Sequence, residues 1–301
     1  MGLKDRRRPH SRVAILRASS YSDALEATIL DGLRLFNLRL KGKTVLLKPN
    51  IVEYAPDVPI NTHPVLVGAT ATAFMRLGAA KVLVAEGPGH VRDTFLLLEE
   101  SGFREALAKR GVAFVDLNRD DVVRTRAVAN YSGLAQLWIP KTVLAADLVV
   151  SMPKLKTHHW AGVTLSMKNM FGVLPGDCYG WPKNVLHWHG IHESVLDICA
   201  TVMPHFVIAD AIVGMEGNGP LNGKSRGLGY VVLADDPVSA DFTCARLMGL
   251  NPLGVPHLRE ASRLLGNGTP NRIAQLAEPT PAPNSPFAVL PTFGSLQMTP
   301  P

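Results

Sequence analysis

The sequence has few cysteines, few aromatic residues and no long apolar run. Cys178, Cys199 and Cys244 are odd in number and widely spaced, and no CxxC pair occurs. This excludes a ferredoxin-type cluster motif and gives no disulfide framework, so we expect a reducing, cytoplasmic location and no iron–sulfur cluster of the protein's own. No apolar segment approaches the roughly 20 residues that span a bilayer, so we expect no membrane partner.

Positive charge is concentrated near the N terminus. The 301 residues carry a formal net charge of +6, of which residues 1–12 contribute +4. The body is then close to neutral, and no zinc-finger or RNA-binding signature is present, so we expect no nucleic-acid partner. The pair Arg6 and Arg7 is not followed by the apolar segment of a twin-arginine export signal. Residues 1–11 are interpreted as a basic tail.

Short apolar segments alternate with helical patterns along most of the chain. Buried strands are predicted at residues 12–16, 44–47, 81–85 and 146–150, with helices at 22–36 and 93–110 between them. This alternation predicts one α/β domain over residues 12–276, with a mainly parallel sheet flanked by helices. The proline-rich segment 277–301 lacks periodicity, so we predict a loosely packed tail whose removal leaves the fold intact.

The stretch MPKLKTHHWAGVTLSMKNMFG, residues 152–172, follows the predicted strand at 146–150, which is apolar except for Asp147. Ligands of open α/β sheets bind beyond the carboxyl ends of the strands. Lys154, Lys156 and His158 are spaced by two, so an extended chain points them to one side. A solvated loop is the alternative interpretation, but His, Trp and Thr among the lysines favour a ligand site.

The second half of this stretch predicts a short helix over residues 162–170. Gly172 suits the left-handed residue that ends a helix. Lys168 and Asn169 then lie near the last turn, close to the end of the preceding strand. We therefore group them with the lysines before the helix.

Other polar residues also follow predicted strands. Lys48 and Asn50 come after the strand at 44–47, and Glu86 and Gly87 come after the strand at 81–85. A third group lies in GMEGNG, residues 214–219, and comprises Glu216, Gly217 and Asn218. That segment is either a plain wide turn or a loop that brings a carboxylate to the lysines.

Three histidines lie in an irregular segment, WPKNVLHWHGIHES. His187, His189 and His192 could bind a divalent metal, since His189 and His192 are spaced for one helix face. No HExxH or comparable pattern is present, and loop histidines are more often hydrogen-bonded or exposed. The segment is long enough to be a lid or small subdomain that closes over a ligand.

Five motifs together resemble the family called domain of unknown function 362. They are KPN at 48–50, THP at 62–64, PKLKTH at 153–158, TLSMKNMFG at 164–172 and GMEGNGP at 214–220. The resemblance covers about residues 45–250 and implies an α/β fold without specifying a reaction. Some relatives carry a ferredoxin-like iron–sulfur segment, whereas this C-terminal part has no cysteine.

These observations predict an enzyme that acts on a small anionic substrate, a carboxylate or a phosphate. Its predicted catalytic residues are Lys154, Lys156, His158, Lys168 and Glu216. Its predicted substrate-binding residues are Lys48, Asn50, Glu86, Gly87, Asn169, Gly217 and Asn218. The alternative is a non-catalytic redox or maturation partner that binds a cofactor or an iron–sulfur protein. The sequence leaves the reaction type, the cofactor and the oligomeric state open.

Overall fold

The structure, a computed structural model, describes residues 5–299. Twelve strands are present in this part of the chain. They are β1 (Ser11–Arg17), β2 (Thr44–Pro49), β3 (Lys81–Glu86), β4 (Ala113–Asp116), β5 (Val122–Arg126), β6 (Gln136–Pro140), β7 (Leu148–Met152), β8 (Lys154–His158), β9 (Gly162–Thr164), β10 (Phe206–Asn218), β11 (Asn222–Ala234) and β12 (Ile273–Ala277).

Helices connect most of the strands. They are α1 (Ala24–Arg34), α2 (Pro64–Arg76), α3 (Thr94–Glu100), α4 (Phe103–Ala108), α5 (Lys141–Ala145), α6 (Ser166–Asn169), α7 (Gly176–Tyr179), α8 (Asn184–Trp188), α9 (Ile191–Thr201), α10 (Pro237–Leu247) and α11 (Pro256–Leu264). The predicted helix at 93–110 is two helices, because Gly102 adopts a left-handed φ of 75° between them. Within residues 5–299, no helix is both long and apolar enough to cross a membrane.

Ten of the strands form one sheet, which confirms the predicted mainly parallel α/β architecture. Its order is β12-β1-β11-β10-β7-β2-β3-β4, with β8 added to β10 and β9 added to β8. The pairs β2–β3, β2–β7, β3–β4, β7–β10, β8–β10 and β1–β12 are parallel. Antiparallel pairs are β1–β11, β10–β11 and β8–β9, and β5 and β6 form a separate antiparallel hairpin.

Each face of the sheet is covered by a hydrophobic core. Along β2, Val45 and Leu47 point into the core under α1 and α2, whereas Leu46 points into the core under α9 and α10. Successive side chains of a strand point to opposite faces, so a strand buried on both sides reads as an unbroken apolar run. This is why the apolar run TVLL, residues 44–47, predicted a strand in the middle of the sheet.

Two local predictions were wrong. Residues 162–164 are strand β9, paired with β8, and the helix begins only at Ser166. The segment GMEGNG is not a wide turn after a short strand, because residues 214–218 continue β10 into a long hairpin with β11.

The C-terminal segment packs on the body of the protein, contrary to the predicted loose tail. Phe287 is fully buried and Leu296 is 3% exposed. The carbonyl of Ala288 accepts a hydrogen bond from Gly217, and Met298 donates one to Gly249. At the other end, residues 1–4 of the predicted basic tail lie outside the described residues.

Candidate functional site

A cavity of about 280 Å³ lies beyond the carboxyl ends of β2, β3 and β8. Its walls come from the residues that follow these strands, from α6 and from the segment that leads into α8. This is where parallel sheets commonly bind ligands, and the size suits a small molecule. The described charged residues that line it are Glu86, Lys156, Lys168 and Lys183.

A buried ion pair forms one wall. Lys48 Nζ donates to Glu86 Oε2 at 2.6 Å, to the Pro49 carbonyl at 3.1 Å and to Asn169 Oδ1 at 3.3 Å. An ammonium has three hydrogens, so Lys48 has none left for a ligand. Burial lowers the pKa of Lys48, and the charge of Glu86 opposes this shift.

Glycine at position 172 allows the chain to pass beside this ion pair. A Cβ at Gly172 would overlap Glu86 Oε1 and approach Lys48 Nζ to 2.7 Å. The carbonyl of Gly172 also accepts a hydrogen bond from Gly87 at 3.2 Å. Gly172 was predicted to end a helix in the left-handed conformation, but its φ is not in that region. Glycine is required here because the backbone packs closely against the ion pair.

Lys183 holds the backbone around the cavity. Its Nζ donates to the carbonyls of Gly87 at 2.8 Å, Gly172 at 3.4 Å and Leu174. Its three hydrogens are therefore used by the protein. Burial lowers the pKa of Lys183 to about 7, although carbonyl acceptors favour its charged form. Lys183 has a left-handed φ of 63°, a strained conformation of the kind found at functional sites.

Lys156 and Lys168 keep hydrogens for a ligand. Lys156 Nζ is fully buried and donates one hydrogen bond, to the Ile60 carbonyl at 2.7 Å. Lys168 Nζ has no hydrogen-bond or ion-pair partner among the described residues and lies 4.0 Å from the centroid of the Phe171 ring. Neither ammonium is paired with a carboxylate within residues 5–299, so both can serve an anion.

The pKa values of these two lysines are strongly lowered. For Lys156 the main cause is burial, followed by the charges of Lys154 and Lys168. For Lys168 burial lowers the pKa to about 7, with a further contribution from Lys48 and an opposing one from Glu86. A bound anion would favour the charged form of both lysines and so raise both pKa values.

His158 presents a hydrogen-bond donor. Its Nδ1 accepts from the backbone N–H groups of Trp160 at 3.0 Å and Ala161 at 3.2 Å. In the neutral ring the hydrogen must then lie on Nε2. Burial, followed by the charge of Lys168, lowers the pKa of His158 well below its usual range, so the ring is neutral near pH 7.

His159 and His187 have the opposite tautomer. Their Nδ1 atoms lie 2.9 Å from the Gly219 carbonyl and 3.1 Å from the Lys183 carbonyl. A carbonyl only accepts, so Nδ1 carries the hydrogen and Nε2 is an acceptor. Burial also lowers the pKa of His187. Of the four histidines that line the cavity, His158 thus offers a donor, and His159 and His187 offer acceptors when their rings are neutral.

Two buried oxygen atoms at the cavity have no hydrogen-bond partner among the described residues. They are Asn50 Oδ1 and Thr164 Oγ1, and both residues line the cavity. Leaving a buried acceptor unsatisfied costs about 1–3 kcal/mol. A ligand that donates a hydrogen bond would remove this cost.

Asn169 and Asp241 fix the short helix that carries Lys168. Asn169 Nδ2 donates to the Lys48 carbonyl at 3.0 Å and to Ser151 Oγ at 3.1 Å. Asp241, from α10, accepts from the backbone N–H groups of Ser166 at 2.6 Å and Met167 at 2.9 Å. Burial raises the pKa of Asp241 to about 8.

Several predicted site residues lie elsewhere. Lys154 Nζ donates to Tyr21 Oη at 2.8 Å and to Asp210 Oδ2 at 3.0 Å, away from the cavity. Glu216 accepts from Arg226 at 2.8 Å and from the Ala288 N–H at 3.0 Å. Gly217 and Asn218 lie in the same hairpin tip and do not line the cavity either.

The structure does not bring the three predicted metal ligands together. His187 lines the cavity, His189 Nδ1 lies 2.9 Å from the Ser132 carbonyl, and His192 Nδ1 lies 2.8 Å from His257 Nδ1. Across the part of the chain that the structure describes, no group of three or more His, Cys, Asp or Glu side chains could hold a metal ion.

Comparison with known proteins gives a family match. The sequence model described as Domain of unknown function (DUF362) matches residues 45–246. The chain is 28% identical over 273 residues to the thylakoid-associated protein sll1697 of Synechocystis sp. (strain ATCC 27184 / PCC 6803 / Kazusa), which covers 85% of this chain and 80% of that protein.

Two solved structures show weak overall similarity. The lactate racemase apoprotein from Thermoanaerobacterium thermosaccharolyticum has a TM-score of 0.44 and 16% identity, over 74% of this chain and 54% of that one. A protein from Thermotoga maritima has a TM-score of 0.41 and 12% identity, over 67% of this chain and 54% of that one. The chain thus spans about half the length of each, and similarity at this level carries no argument about a reaction.

Proposed function

The chain belongs to the domain of unknown function 362 family, and from its cavity we propose that it is an enzyme acting on a small anionic substrate, a carboxylate or a phosphate. The observation that carries the proposal is the charge of the cavity. Glu86 is neutralised by Lys48, which leaves Lys156, Lys168 and Lys183 without a carboxylate partner among the described residues. Lys156 and Lys183 are buried and Lys168 is partly buried. Buried charges are ordinarily paired, so we infer that an anion is the missing partner.

Lys156 and Lys168 are the direct anion ligands in this proposal, because they have hydrogens that the protein does not use. Lys183 contributes charge while its hydrogens hold the backbone. His158 donates from Nε2 to an oxygen of the substrate. Lys154 and Glu216 are left out of this machinery, since each is paired with another residue outside the cavity.

Lys168 binds the anion in its charged form, and in its neutral form it is the proposed base or nucleophile. A lysine with a pKa of about 7 is partly neutral at physiological pH, and a neutral amine can accept a proton or attack an electrophile. His159 and His187 offer acceptor Nε2 atoms that can receive a proton from substrate.

Thermal unfolding with a panel of ligands tests the proposal. Oxalate and inorganic phosphate should raise the melting temperature at constant ionic strength, whereas neutral oxamide should not. Binding at 100 times Kd stabilises a protein by about 2.7 kcal/mol, which is a shift of several degrees. Lys81→Ala is a matched control, because it removes an exposed positive charge at the start of β3, the end remote from Glu86. Loss of the shift in this control would point to general charge screening.

The same preparation tests the redox alternative. A coloured protein with visible absorption and no response to oxalate or phosphate would favour a cofactor-binding partner over the enzyme. The proposal keeps the expected cytoplasmic location, whereas the Synechocystis relative is described as thylakoid-associated, which favours a location at the thylakoid. Fractionation of native cells distinguishes them.

A lid function for the segment over the cavity also remains a prediction. Pro182, Lys183 and His187 line the cavity, and Leu186 is fully buried. Hydrogen exchange of residues 181–189 should slow when oxalate is bound if the segment closes over ligand. Unchanged exchange would make it a fixed wall.

A further inference from the structure

Lys168 differs from the other lysines around the cavity. Lys48 and Lys183 each donate three hydrogen bonds, and Lys156 donates one. Lys168 donates none within residues 5–299, and its Nζ lies against the Phe171 ring. A ring face holds a cation only weakly and does not occupy the lone pair of a neutral amine. Lys168 is therefore the amine most available for covalent chemistry.

The surroundings of Lys168 favour the neutral amine. The Lys168 side chain is partly buried, Lys48 lies nearby, and the carboxylate of Glu86 is already bound to Lys48. Amines become nucleophiles at neutral pH when they are desolvated beside another cationic group. The remaining lysines can hold the anionic part of a substrate while Lys168 attacks.

Building on the anionic-substrate function proposed above, we propose that Lys168 forms an imine with the carbonyl carbon of a small 2-oxo carboxylate. A 2-oxo acid presents a carboxylate for Lys156 and a carbonyl oxygen for the Nε2 hydrogen of His158. Both residues line the same cavity as Lys168, and its volume of about 280 Å³ suits a molecule of a few carbon atoms.

The reaction is balanced without a further co-reactant. The lone pair of the neutral Lys168 amine forms the N–C bond as the C=O π bond breaks toward oxygen. The oxygen takes one amine hydrogen and gives a carbinolamine. The C–O bond then breaks, and the oxygen leaves as water with the second amine hydrogen, which yields the imine.

The two unsatisfied oxygen atoms suit the intermediate. The carbinolamine carries an O–H and an N–H that did not exist in the substrate, and Asn50 Oδ1 is a buried acceptor without a partner among the described residues. The Thr164 hydroxyl can accept or donate beside it. Hydrogen bonds that form only after attack stabilise the intermediate and the transition state that leads to it, and not the bound substrate.

Reductive trapping tests the proposal. Parent protein is incubated with glyoxylate and cyanoborohydride at about pH 8, where solvated lysines are almost fully protonated. Peptide mass spectrometry then measures the reduced adduct at each lysine. We expect modification of Lys168 to exceed that of the exposed Lys81 and Lys224 by about tenfold or more, and excess oxalate to suppress it. Equal labelling of the three lysines, or none at Lys168, would overturn the proposal.

The Lys168→Arg variant provides a second readout, because it keeps the positive charge and cannot form an imine. Because arginine keeps a positive charge at this anion-binding position, oxalate should still raise the melting temperature, by less than in the parent, and the trapped adduct should disappear from the cavity. If oxalate stabilises the parent but glyoxylate gives no adduct at Lys168, the imine proposal fails and the anionic-substrate function stands. If oxalate and phosphate bind nowhere and labelling is uniform, both fail.

Discussion

Lys48 and Glu86 form an ion pair with a 2.6 Å contact, and neither side chain is more than 2% exposed. The pair joins β2 to β3 at one wall of the cavity, and the lysines that line the cavity have no carboxylate partner among the described residues. Breaking a buried pair by removing one partner costs about 3–5 kcal/mol, because the remaining charge stays buried.

We therefore predict that Glu86→Gln and Lys48→Met each lower the free energy of unfolding by about 3–5 kcal/mol. The double variant should be less destabilised than the sum of the two, since it leaves no unpaired charge. Urea unfolding of the four proteins measures this. Single variants within about 1 kcal/mol of the parent would contradict a structural role for the pair.

Gly172→Ala tests the close packing beside the same pair. The added Cβ would meet Glu86 Oε1 and Lys48 Nζ. Both side chains are held by the ion pair through Glu86 Oε2, and Oε1 also accepts a hydrogen bond from the Gly87 N–H. We expect a loss of stability of about 1–3 kcal/mol, as for other overpacked sites. Gly227→Ala is the matched control, because no atom lies within 4 Å of its added Cβ. Equal effects at both positions would remove the packing explanation.

Much of the fold was predictable because strands buried on both faces read as apolar runs. The polar residues after those runs, Lys48 and Glu86 among them, then had to meet at one edge of the sheet. The hairpin of β10 and β11 was missed because its glycines read as a turn. Gly214 instead lies where a Cβ would approach the Leu155 carbonyl to 3.0 Å, so it serves packing between strands.

Only part of the site was predicted. The spacing of residues in a strand predicts which face of the strand a side chain lies on, but it does not predict which residue that side chain contacts. Lys154 and Lys156 were expected to converge. The register between β8 and β10 shifts between them, and Lys154 meets Asp210, which lies 56 residues away in sequence. Lys183 was missed because it follows a proline in an irregular segment, where no periodicity predicts its direction.

Stability should depend on pH through Lys168. The folded protein releases the Lys168 proton near pH 7, whereas an unfolded chain holds it until about pH 10.4. Between these values the unfolded chain binds more protons, so this group makes the protein more stable as pH rises. The free energy of unfolding of the parent, minus that of Lys168→Met, should rise by about 1–3 kcal/mol from about pH 6.5 to 9. A difference that does not change with pH would show that Lys168 keeps an ordinary pKa.

The C-terminal segment should contribute to stability. Phe287 is fully buried in the core under α9 and α10, so Phe287→Ala should cost about 3–5 kcal/mol. Phe95→Ala is the control, because Phe95 is 51% exposed. Deletion of residues 279–301 should lower the melting temperature by many degrees. An unchanged melting temperature after the deletion would instead support the loosely packed tail that the sequence predicted.

The central claim is that Lys156 and Lys168 are held together for an anion, and oxalate titration of Lys156→Met and Lys168→Met tests it most directly. Each substitution removes an ammonium, fully buried at Lys156 and partly buried at Lys168, that has no carboxylate partner in the described chain. Stability near pH 7 without ligand should therefore stay within about 1 kcal/mol of the parent or increase. Oxalate should then no longer raise the melting temperature of either variant, while Lys81→Ala keeps the parent's response. A loss of about 3–5 kcal/mol without ligand, together with an unchanged response to oxalate, would contradict the account.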